Sequence, residues 1–246
     1  RQYEILIIKY KSHDLSLTAT TSPEEGYKVF TNIKENSDFL KSKYNALICS
    51  DVIIREFNML AYNENHKCLI IYIDGLSDAI SINDFIIKPL MMGEHRYNKP
   101  FDGNLAEYVD NCLLPQNSVK KVDDYKDVFS GINMGDCLLF IDTLGVAFDI
   151  DVKKYEQRGI DSSENEAVIK GPQEGFVENI RTNTSLLRRI VNNENLVIET
   201  IPVGKISQTK CSICYIQDIA NGDLVKEEKN SLNNIEIDYL LSNVNL

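Results

Sequence analysis

Short runs rich in β-branched and aliphatic residues alternate along the chain with stretches whose apolar residues recur at helical spacing. The runs that predict strands are residues 51–60, 68–73, 137–142, 146–151, 196–203 and 211–217. The longest purely apolar run, residues 68–73, is far shorter than the ~20 residues that a membrane-spanning helix requires. This alternation predicts an α/β protein with mixed sheets packed by helices.

Helix signals lie between these runs. Ser22 and Pro23 are typical of an N-cap and a first helical turn, and they predict a helix that ends near Tyr44. Further helices are predicted at residues 82–90, 105–114, 123–129, 174–191, 224–232 and 237–244. Pro89 is expected to disturb the last turn of its helix.

Tight polar connections predict two pairs of adjacent strands, one on each side of a predicted lobe boundary. The turn at residues 63–66 joins the first pair, and the turn at residues 143–145 joins a hairpin. Between them, residues 116–121 are polar and lack periodicity. We therefore predict two lobes, residues 1–118 and 119–246, each an α/β lobe with a mixed β-sheet packed by helices.

The charge of the chain limits its partners. It has 26 basic and 37 acidic residues, a formal net charge of −11. Such a surface does not attract nucleic acid, and it is repelled by anionic lipid headgroups. Membrane attachment is expected only through a C-terminal region outside this sequence, which begins at Arg1 and is expected to be a piece of a longer protein.

No metal site or cofactor is predicted. Cys211 and Cys214 form a C-x-x-C spacing, but strand positions three apart point to opposite faces, so we predict two buried thiols. His13, His66 and His95 are isolated in the sequence. The six scattered cysteines favour a reducing, cytoplasm-like compartment.

No catalytic residue is predicted either. Asp142, Asp149 and Asp151 flank the predicted hairpin and leave open a hydrolase that uses paired carboxylates, although a solvated strand face is the favoured interpretation. The glycines of residues 171–175 precede a helix but lack the Lys-Ser/Thr of a phosphate-binding loop, so they predict a turn and cap.

The predicted helix at residues 174–191 contains the first interaction candidates. Arg181 and Arg188 are seven positions apart and share a helix face. They could bind a carboxylate ligand or the acids of a neighbouring subunit bidentately. Pairing with acids of the same chain is the favoured alternative, because charged surface pairs of that kind are common.

Several blocks, in a fixed order, resemble the GerA-type spore germination receptor A subunits. The blocks are SDVIIREF (50–57), IYIDGL (71–76), INDFIIKPL (82–90), GDCLLFID (135–142), EAVIKGPQEGF (166–176) and RTNTSLLRR (181–189). They span most of the chain outside its first predicted helix. The chain is thus identified as a member of this family, as the soluble N-terminal domain of its A subunit.

The resemblance implies a role in nutrient-triggered spore germination and not an enzyme. Family members continue into transmembrane helices and act with B and C subunits in the spore inner membrane. The soluble domain is expected on the cytoplasmic, spore-core side, and a homo-oligomer in the intact receptor is a further expectation. Candidate interaction or ligand residues in the matched blocks are Arg55, Asp74, Asn83, Arg181, Asn183 and Arg188.

Two modes of action stay open at this point. In the first, the two lobes, joined near residues 115–121, shift relative to each other or to neighbouring subunits when the receptor is triggered. In the second, a small polar nutrient binds directly in the cleft between the lobes.

Overall fold

The computed structural model describes residues 5–8, 27–61, 64–92, 103–116, 118–154 and 176–238. The strands are β1 (Ile5–Ile8), β2 (Val52–Ala61), β3 (Glu64–Ile73), β4 (Val119–Val122), β5 (Cys137–Ile141), β6 (Ala147–Ile150), β7 (Leu196–Val203) and β8 (Thr209–Ile216). The helices are α1 (Ile33–Lys43), α2 (Ala79–Ile82), α3 (Lys88–Met92), α4 (Leu105–Tyr108), α5 (Tyr125–Met134), α6 (Ile180–Ile190) and α7 (Gly222–Asn233). Two sheets packed by helices confirm the α/β class.

The larger sheet has the strand order β2-β3-β5-β6-β4 and is antiparallel throughout. Both predicted strand pairs, β2 with β3 and β5 with β6, are present. The smaller sheet has the order β1-β8-β7, with β1 parallel and β7 antiparallel to β8. Mixed pairing therefore occurs in the smaller sheet and not, as expected, in both.

The larger sheet takes strands from both sides of the boundary that the sequence predicted between residues 118 and 119. Strand β3 pairs with β5, with Ile71 opposite Leu138. The polar stretch 116–121, where the lobe boundary was predicted, overlaps β4, which pairs with β6 and places Val122 opposite Ala147. Val119 and Val122 are partly buried, whereas the lysines between them are exposed. One hydrogen-bonded sheet thus spans the predicted lobe boundary.

Helices cover both faces of the larger sheet. On one face, α1 and α5 bury Leu40, Tyr44, Val128 and Ile132 against alternate strand residues such as Leu138. On the other face, the helices between β3 and β4 bury their apolar side chains against Leu139 and its neighbours. Every residue of β5 is buried, because β5 lies in the middle of the sheet and both of its faces are covered.

The smaller sheet contains both cysteines of the C-x-x-C spacing. Cys214 packs into the main core beside α1 and α5, whereas Cys211 packs with Val203 and Leu232 on the opposite face of β8. The predicted opposite orientation of these buried thiols is confirmed. Helix α7 packs on this sheet, and its Lys229 pairs with Glu199 of β7 at 2.5 Å.

Two helices begin with the same asparagine arrangement. The side chain of Asn32 accepts a hydrogen bond from the Lys34 N–H as the N-cap of α1, and Asn36 bonds the backbone N–H and carbonyl of Phe30. The predicted helix start at Ser22 is wrong for the described part, because residues 27–32 are not helical. Ser22 and Pro23 themselves lie outside the described residues.

The asparagines of α6 repeat this arrangement four residues apart. Asn179 caps the helix, and Asn183 bonds the N–H and carbonyl of Val177. Residues 176–179 are therefore not helical, and α6 starts later than predicted. The glycines at 171–175, His13 and His95 lie outside the described residues, as does most of the predicted helix at 237–244, whose first two residues are not helical.

Two helical segments contain a π-helical turn. Helix α2 continues through the π turn Asn83–Ile87 into α3, and α4 continues into the π turn Val109–Leu113. Pro89 lies in α3 and lacks the N–H that would bond the carbonyl of Phe85, four residues earlier. The expected disturbance by Pro89 thus coincides with a π turn before it, while the helix continues to Met92.

Gly135 is predicted to be intolerant of substitution. It ends α5 with a φ of 97°, and a Cβ at this position would lie 3.0 Å from the carbonyl oxygen of Leu76. Gly135→Ala should lower the free energy of unfolding by about 1–3 kcal/mol, the usual cost of a strained left-handed residue. Urea unfolding measures this loss. Gly222→Ala is the matched control, because a Cβ there meets nothing within 4 Å, and an equal loss in both variants would contradict the prediction.

Candidate functional site

Two aspartates meet at one end of the larger sheet. Asp51 directly precedes β2 and Asp74 directly follows β3. Val52 and Ile73 are paired across these strands, and the Asp74 N–H donates to the Asp51 carbonyl at 2.8 Å. The register of one hairpin therefore places both carboxylates side by side, facing helix α6.

Arg188 of α6 binds the first of these carboxylates in the interior of the protein. Its Nε donates to Asp51 Oδ2 at 2.8 Å and its Nη2 donates to Asp51 Oδ1 at 2.9 Å. The side chains of Arg188 and Asp51 are only 2% and 1% exposed. Burial lowers the pKa of the guanidinium, but the hydrogen bonds to Asp51 and the Asp51 charge raise it by a larger amount. The net pKa lies above its usual value, so Arg188 stays charged.

Cys49 forms hydrogen bonds with both members of this ion pair. Its thiol donates to Asp51 Oδ1 at 3.2 Å and its sulfur accepts from Arg188 Nη2 at 3.1 Å. Burial, followed by the nearby Asp51 charge, raises the pKa of the thiol to about 12. The thiol is thus protonated at neutral pH, and it serves as a hydrogen-bond donor and not as a nucleophile.

Arg181 lies seven residues before Arg188, about two helical turns away, and binds the second aspartate, Asp74. Its Nη2 lies 3.0 Å from Asp74 Oδ2, and the two side chains are 43% and 38% exposed. Between the two arginines, Ser185 packs against the loop, since a Cβ at Gly75 would lie 3.3 Å from the Ser185 Cβ. We call the two ion pairs Arg188–Asp51 and Arg181–Asp74 the α6 clamp.

The segment that contains Asp51 also contacts the smaller sheet. The Ser50 N–H donates to the carbonyl of Ile198 in β7 at 2.8 Å, and the Ser50 hydroxyl lies 2.8 Å from the Thr200 hydroxyl. Thr200 in turn bonds Ser212 of β8 at 3.0 Å. The start of β2 is therefore the place where the larger sheet, the smaller sheet and α6 meet.

The structure brings three of the sequence candidates together and separates the other three. Asp74, Arg181 and Arg188 belong to the α6 clamp, in which both arginines pair with acids of the same chain. Asn183 is buried and holds the segment before α6. Arg55 on β2 and Asn83 in the first π turn are exposed and lie apart from the clamp.

The three carboxylates of the hydrolase hypothesis do not form one site. Asp142 accepts a hydrogen bond from the Ile33 N–H at 3.0 Å, at the start of α1. Asp149 and Asp151 lie instead at the end of β6, near Lys153. Burial, followed by the charge of Asp136, raises the pKa of Asp149 to about 6. Within the described ranges, no three His, Cys, Asp or Glu side chains are placed to hold a metal ion.

A pocket of about 640 Å³ lies between α3 and the π turns. No pattern in the sequence predicted this pocket, because its walls come from two segments that are distant along the chain. It is lined by Asp84, Phe85, Lys88, Pro89, Met92, Asn111, Cys112, Leu113, Leu114 and Pro115. Cys112 is the one partly exposed cysteine of the six. This pocket is a second place where the domain could bind a molecule.

The sequence predicted the arginine face of α6 and Asp74 as candidates, but it did not pair them, and Asp51 was missed. Asp51 and Asp74 are separated from the arginines by more than a hundred residues, so no local spacing connects them. Their positions directly before β2 and directly after β3 were the available indication, because adjacent strands bring their ends together.

The two ion pairs of the α6 clamp should differ strongly in their effect on stability. Arg188→Met leaves the buried Asp51 carboxylate without its partner and should cost about 3–5 kcal/mol of unfolding free energy. Arg181→Met, on the same helix face, removes a half-exposed pair and should cost about 1 kcal/mol or less. Urea unfolding of both variants measures the difference, and equal losses would show that burial of the Arg188 pair does not decide its effect.

Comparisons with known proteins agree with this architecture. The family model described as Bacillus/Clostridium GerA spore germination protein matches residues 38–246. Spore germination protein KA of Bacillus subtilis (strain 168) is 33% identical over 192 residues, which are 78% of this chain and 34% of that protein. Stage V sporulation protein AF of the same strain is 32% identical over 217 residues, 88% of this chain and 42% of that protein.

A solved structure has the same fold. The crystal structure of the N-terminal domain of the A subunit of the Bacillus megaterium spore germinant receptor GerK3 matches with a TM-score of 0.63 and 27% identity. The match covers 85% of this chain and 74% of that one. The chain spans less than half the length of the two curated relatives. Among the described residues, no helix is long and apolar enough to cross a membrane. The chain belongs to the GerA family of spore germination proteins.

Proposed function

We propose that this chain is the N-terminal domain of a germinant receptor A subunit and that it acts in signal transduction and receptor assembly during spore germination. The likeness to the GerK3 A-subunit domain is the observation that supports this best, since it extends over 85% of the chain. The domain acts as a sensing and assembly module and has no catalytic step of its own.

In the intact receptor, this domain works beside B and C subunits at the spore inner membrane, on the side of the spore core. Its membrane attachment comes from a region outside this sequence, and several copies of the A subunit assemble in one receptor. The exposed Arg55 and Asn83 are candidates for contacts with other subunits, because no other role of these side chains is evident in the described part of the chain.

The α6 clamp is the most suitable place for a conformational signal to pass. A hinge near residues 115–121 would have to separate strands of one hydrogen-bonded sheet, since β4 pairs with β6 and β3 pairs with β5. The larger and smaller sheets, in contrast, are separate hydrogen-bonded sheets. They meet through one backbone hydrogen bond to β7, the contact between the Ser50 and Thr200 hydroxyls, and the packing of Leu196, Ile198 and Cys214 in the main core. We therefore place the relative motion between the two sheets.

A disulfide across this contact tests the proposal. The hydroxyls of Ser50 and Thr200 are 2.8 Å apart, so Ser50→Cys with Thr200→Cys should form a crosslink that holds β7 to the start of β2. A membrane-permeant thiol oxidant is added to form it, because the expected compartment is reducing. Spores that carry the crosslinked full-length receptor should germinate several-fold more slowly with nutrient, and a reducing agent should restore the rate. Dye release or loss of optical density measures germination.

Each single cysteine variant is the control and should germinate normally with or without the reducing agent. Mass spectrometry of the receptor must show that the crosslink has formed. A normal germination rate with the crosslink in place would exclude a signal that requires motion between the sheets.

The pocket between α3 and the π turns supports a second candidate function, direct binding of a small nutrient molecule. The expected position for such a ligand was a cleft between two lobes, and we propose this pocket between helices instead. Its volume of about 640 Å³ suits a small molecule, and the apolar walls are accompanied by Asp84, Lys88 and Asn111. A ligand with an apolar part and charged groups would find partners for both.

Cys112 provides a direct test of this second function. A thiol reagent should label Cys112 faster than the five buried cysteines. A bound amino acid, sugar or nucleoside should slow that labelling several-fold, because Cys112 lines the pocket. Cys112→Ser is the control that assigns the label to this residue. Unchanged labelling rates across a nutrient panel at millimolar concentration would rule out nutrient binding in this pocket.

A further inference from the structure

The connection between β8 and α7 contains the one Asn-Gly pair of the sequence, Asn221 and Gly222. Asn221 is the N-cap of α7, with a φ of −73° and a ψ of 117°, and its side chain accepts a hydrogen bond from the Asp223 N–H at 2.9 Å. Its backbone carbonyl accepts from the Val225 N–H at 3.1 Å, the first backbone bond of the helix. Asn221 therefore provides two acceptors that hold the first turn of α7.

The first turn of α7 is open to solvent. Asn221, Gly222 and Asp223 are all exposed. A Cβ added at Gly222 would meet nothing within 4 Å. The Gly222 N–H is the first of the helix, and an N–H at that position has no intrahelical acceptor. Because exposed helix ends open locally at little cost in free energy, the Asn221 side-chain amide and the Gly222 nitrogen can approach each other in the folded protein.

Three further helices of the described part begin with an asparagine N-cap, at Asn32, Asn104 and Asn179. In each, the asparagine side chain accepts a backbone hydrogen bond as it does in α7. The residue that follows, however, is isoleucine or leucine in these three caps and glycine in α7. A branched side chain hinders the approach of its own backbone nitrogen to the preceding amide, whereas glycine has no Cβ and a wide range of backbone conformations.

We propose that Asn221 is a self-modifying site, which converts to aspartate and isoaspartate faster than the other asparagine N-caps, and that the isoaspartate form releases the first turn of α7. The Gly222 backbone nitrogen attacks the side-chain amide carbon of Asn221. A new C–N bond forms, and the amide nitrogen leaves as ammonia with the proton that Gly222 loses. Water then opens the resulting cyclic imide at one of its two carbonyl carbons, so water is the only co-reactant.

The two products differ in what they do to the helix start. Aspartate leaves the backbone unchanged, is a good N-cap, and carries a charge that is favourable at a helix N-terminus. In isoaspartate, the main chain runs through the former side-chain carbon and is longer by one methylene. The carbonyl that accepts from Val225 becomes a free carboxylate, and the oxygen that accepts from Asp223 becomes part of the main chain. Both acceptors of the first turn are therefore displaced.

The rest of α7 is held independently of its cap. Lys229 pairs with Glu199 of β7, and Leu232 packs with Val203 and Cys211 of the smaller sheet. The loss caused by isoaspartate is thus confined to the start of the helix.

Peptide mapping by mass spectrometry tests the chemical part of the proposal. The folded chain is held at physiological temperature and mildly alkaline pH, then digested under acidic conditions, and the asparagine, aspartate and isoaspartate peptides are separated by chromatography. Conversion at Asn221 should be at least several-fold faster than at Asn179, the N-cap of α6 that is followed by isoleucine. Equal rates at the two caps would overturn the proposal.

Gly222→Ala is the matched variant, because it keeps the asparagine cap and places its Cβ in open space. It should slow conversion at Asn221 several-fold, and an unchanged rate would contradict the mechanism. The urea-unfolded chain should convert faster than the folded chain, since ring closure requires the Asn221 ψ to leave its value of 117°. If the folded chain does not convert while the unfolded chain converts completely, the cap protects this site and the proposal is overturned.

Amide hydrogen exchange, followed by NMR, tests the structural part. In the separated isoaspartate form, protection of the Val225 amide should fall several-fold, whereas that of the Leu232 amide should stay at the level of the parent chain. Asn221→Asp contains the other product and should keep the parent protection at both amides. Full protection of Val225 in the isoaspartate form would exclude release of the first turn. These measurements do not involve germination, so they are independent of the proposed receptor function.

Discussion

The buried pair between Arg188 and Asp51 is the interaction on which the arrangement of this domain depends. Moving two charges out of water is costly, and the attraction between them compensates only when the geometry is good and the remaining donors and acceptors are bonded. Two parallel hydrogen bonds and the Cys49 thiol meet that condition for Nε and Nη2 of Arg188 and for both Asp51 oxygens, whereas the buried Nη1 has no hydrogen-bond partner among the described residues. Because a misplaced α6 would leave one charge buried without a partner, the pair favours one position of α6 on the larger sheet and disfavours others.

The sequence predicted those parts of the fold that are determined locally. The hairpins β2–β3 and β5–β6 have apolar runs joined by short turns, so their pairing follows from neighbouring residues. The pairing of β3 with β5 joins residues about seventy positions apart, and no local pattern specifies it. The lobe boundary was predicted at strand β4 because this stretch is polar, with two lysines among the four residues of β4, and only the position of β4 at the edge of the sheet permits that composition.

The starts of α1 and α6 were also not predictable from local residue types alone. Serine, proline and acidic residues are typical of a first turn, but α1 begins at Ile33, ten residues after Pro23, with Asn32 as its N-cap. Asn32 and Asn36, like Asn179 and Asn183, are four positions apart, and in each pair the second asparagine bonds the backbone two residues before the cap. Asparagine is also common in turns, so the spacing alone does not distinguish these helix starts from loops.

Loop 74–78 lies between a fully buried ion pair, Arg188–Asp51, and the exposed pair Arg181–Asp74. Asp74 is bonded through its backbone to Asp51, which is fixed by Arg188, whereas its side chain reaches only the half-exposed Arg181. On its other side, the loop is held by backbone hydrogen bonds beside the Asp136–Lys153 pair. A rearrangement of the loop would therefore break a surface ion pair and a few hydrogen bonds while the buried Arg188–Asp51 pair stays intact. For this reason the loop is the segment of the domain through which a change at β6 can reach α6 without unfolding either sheet.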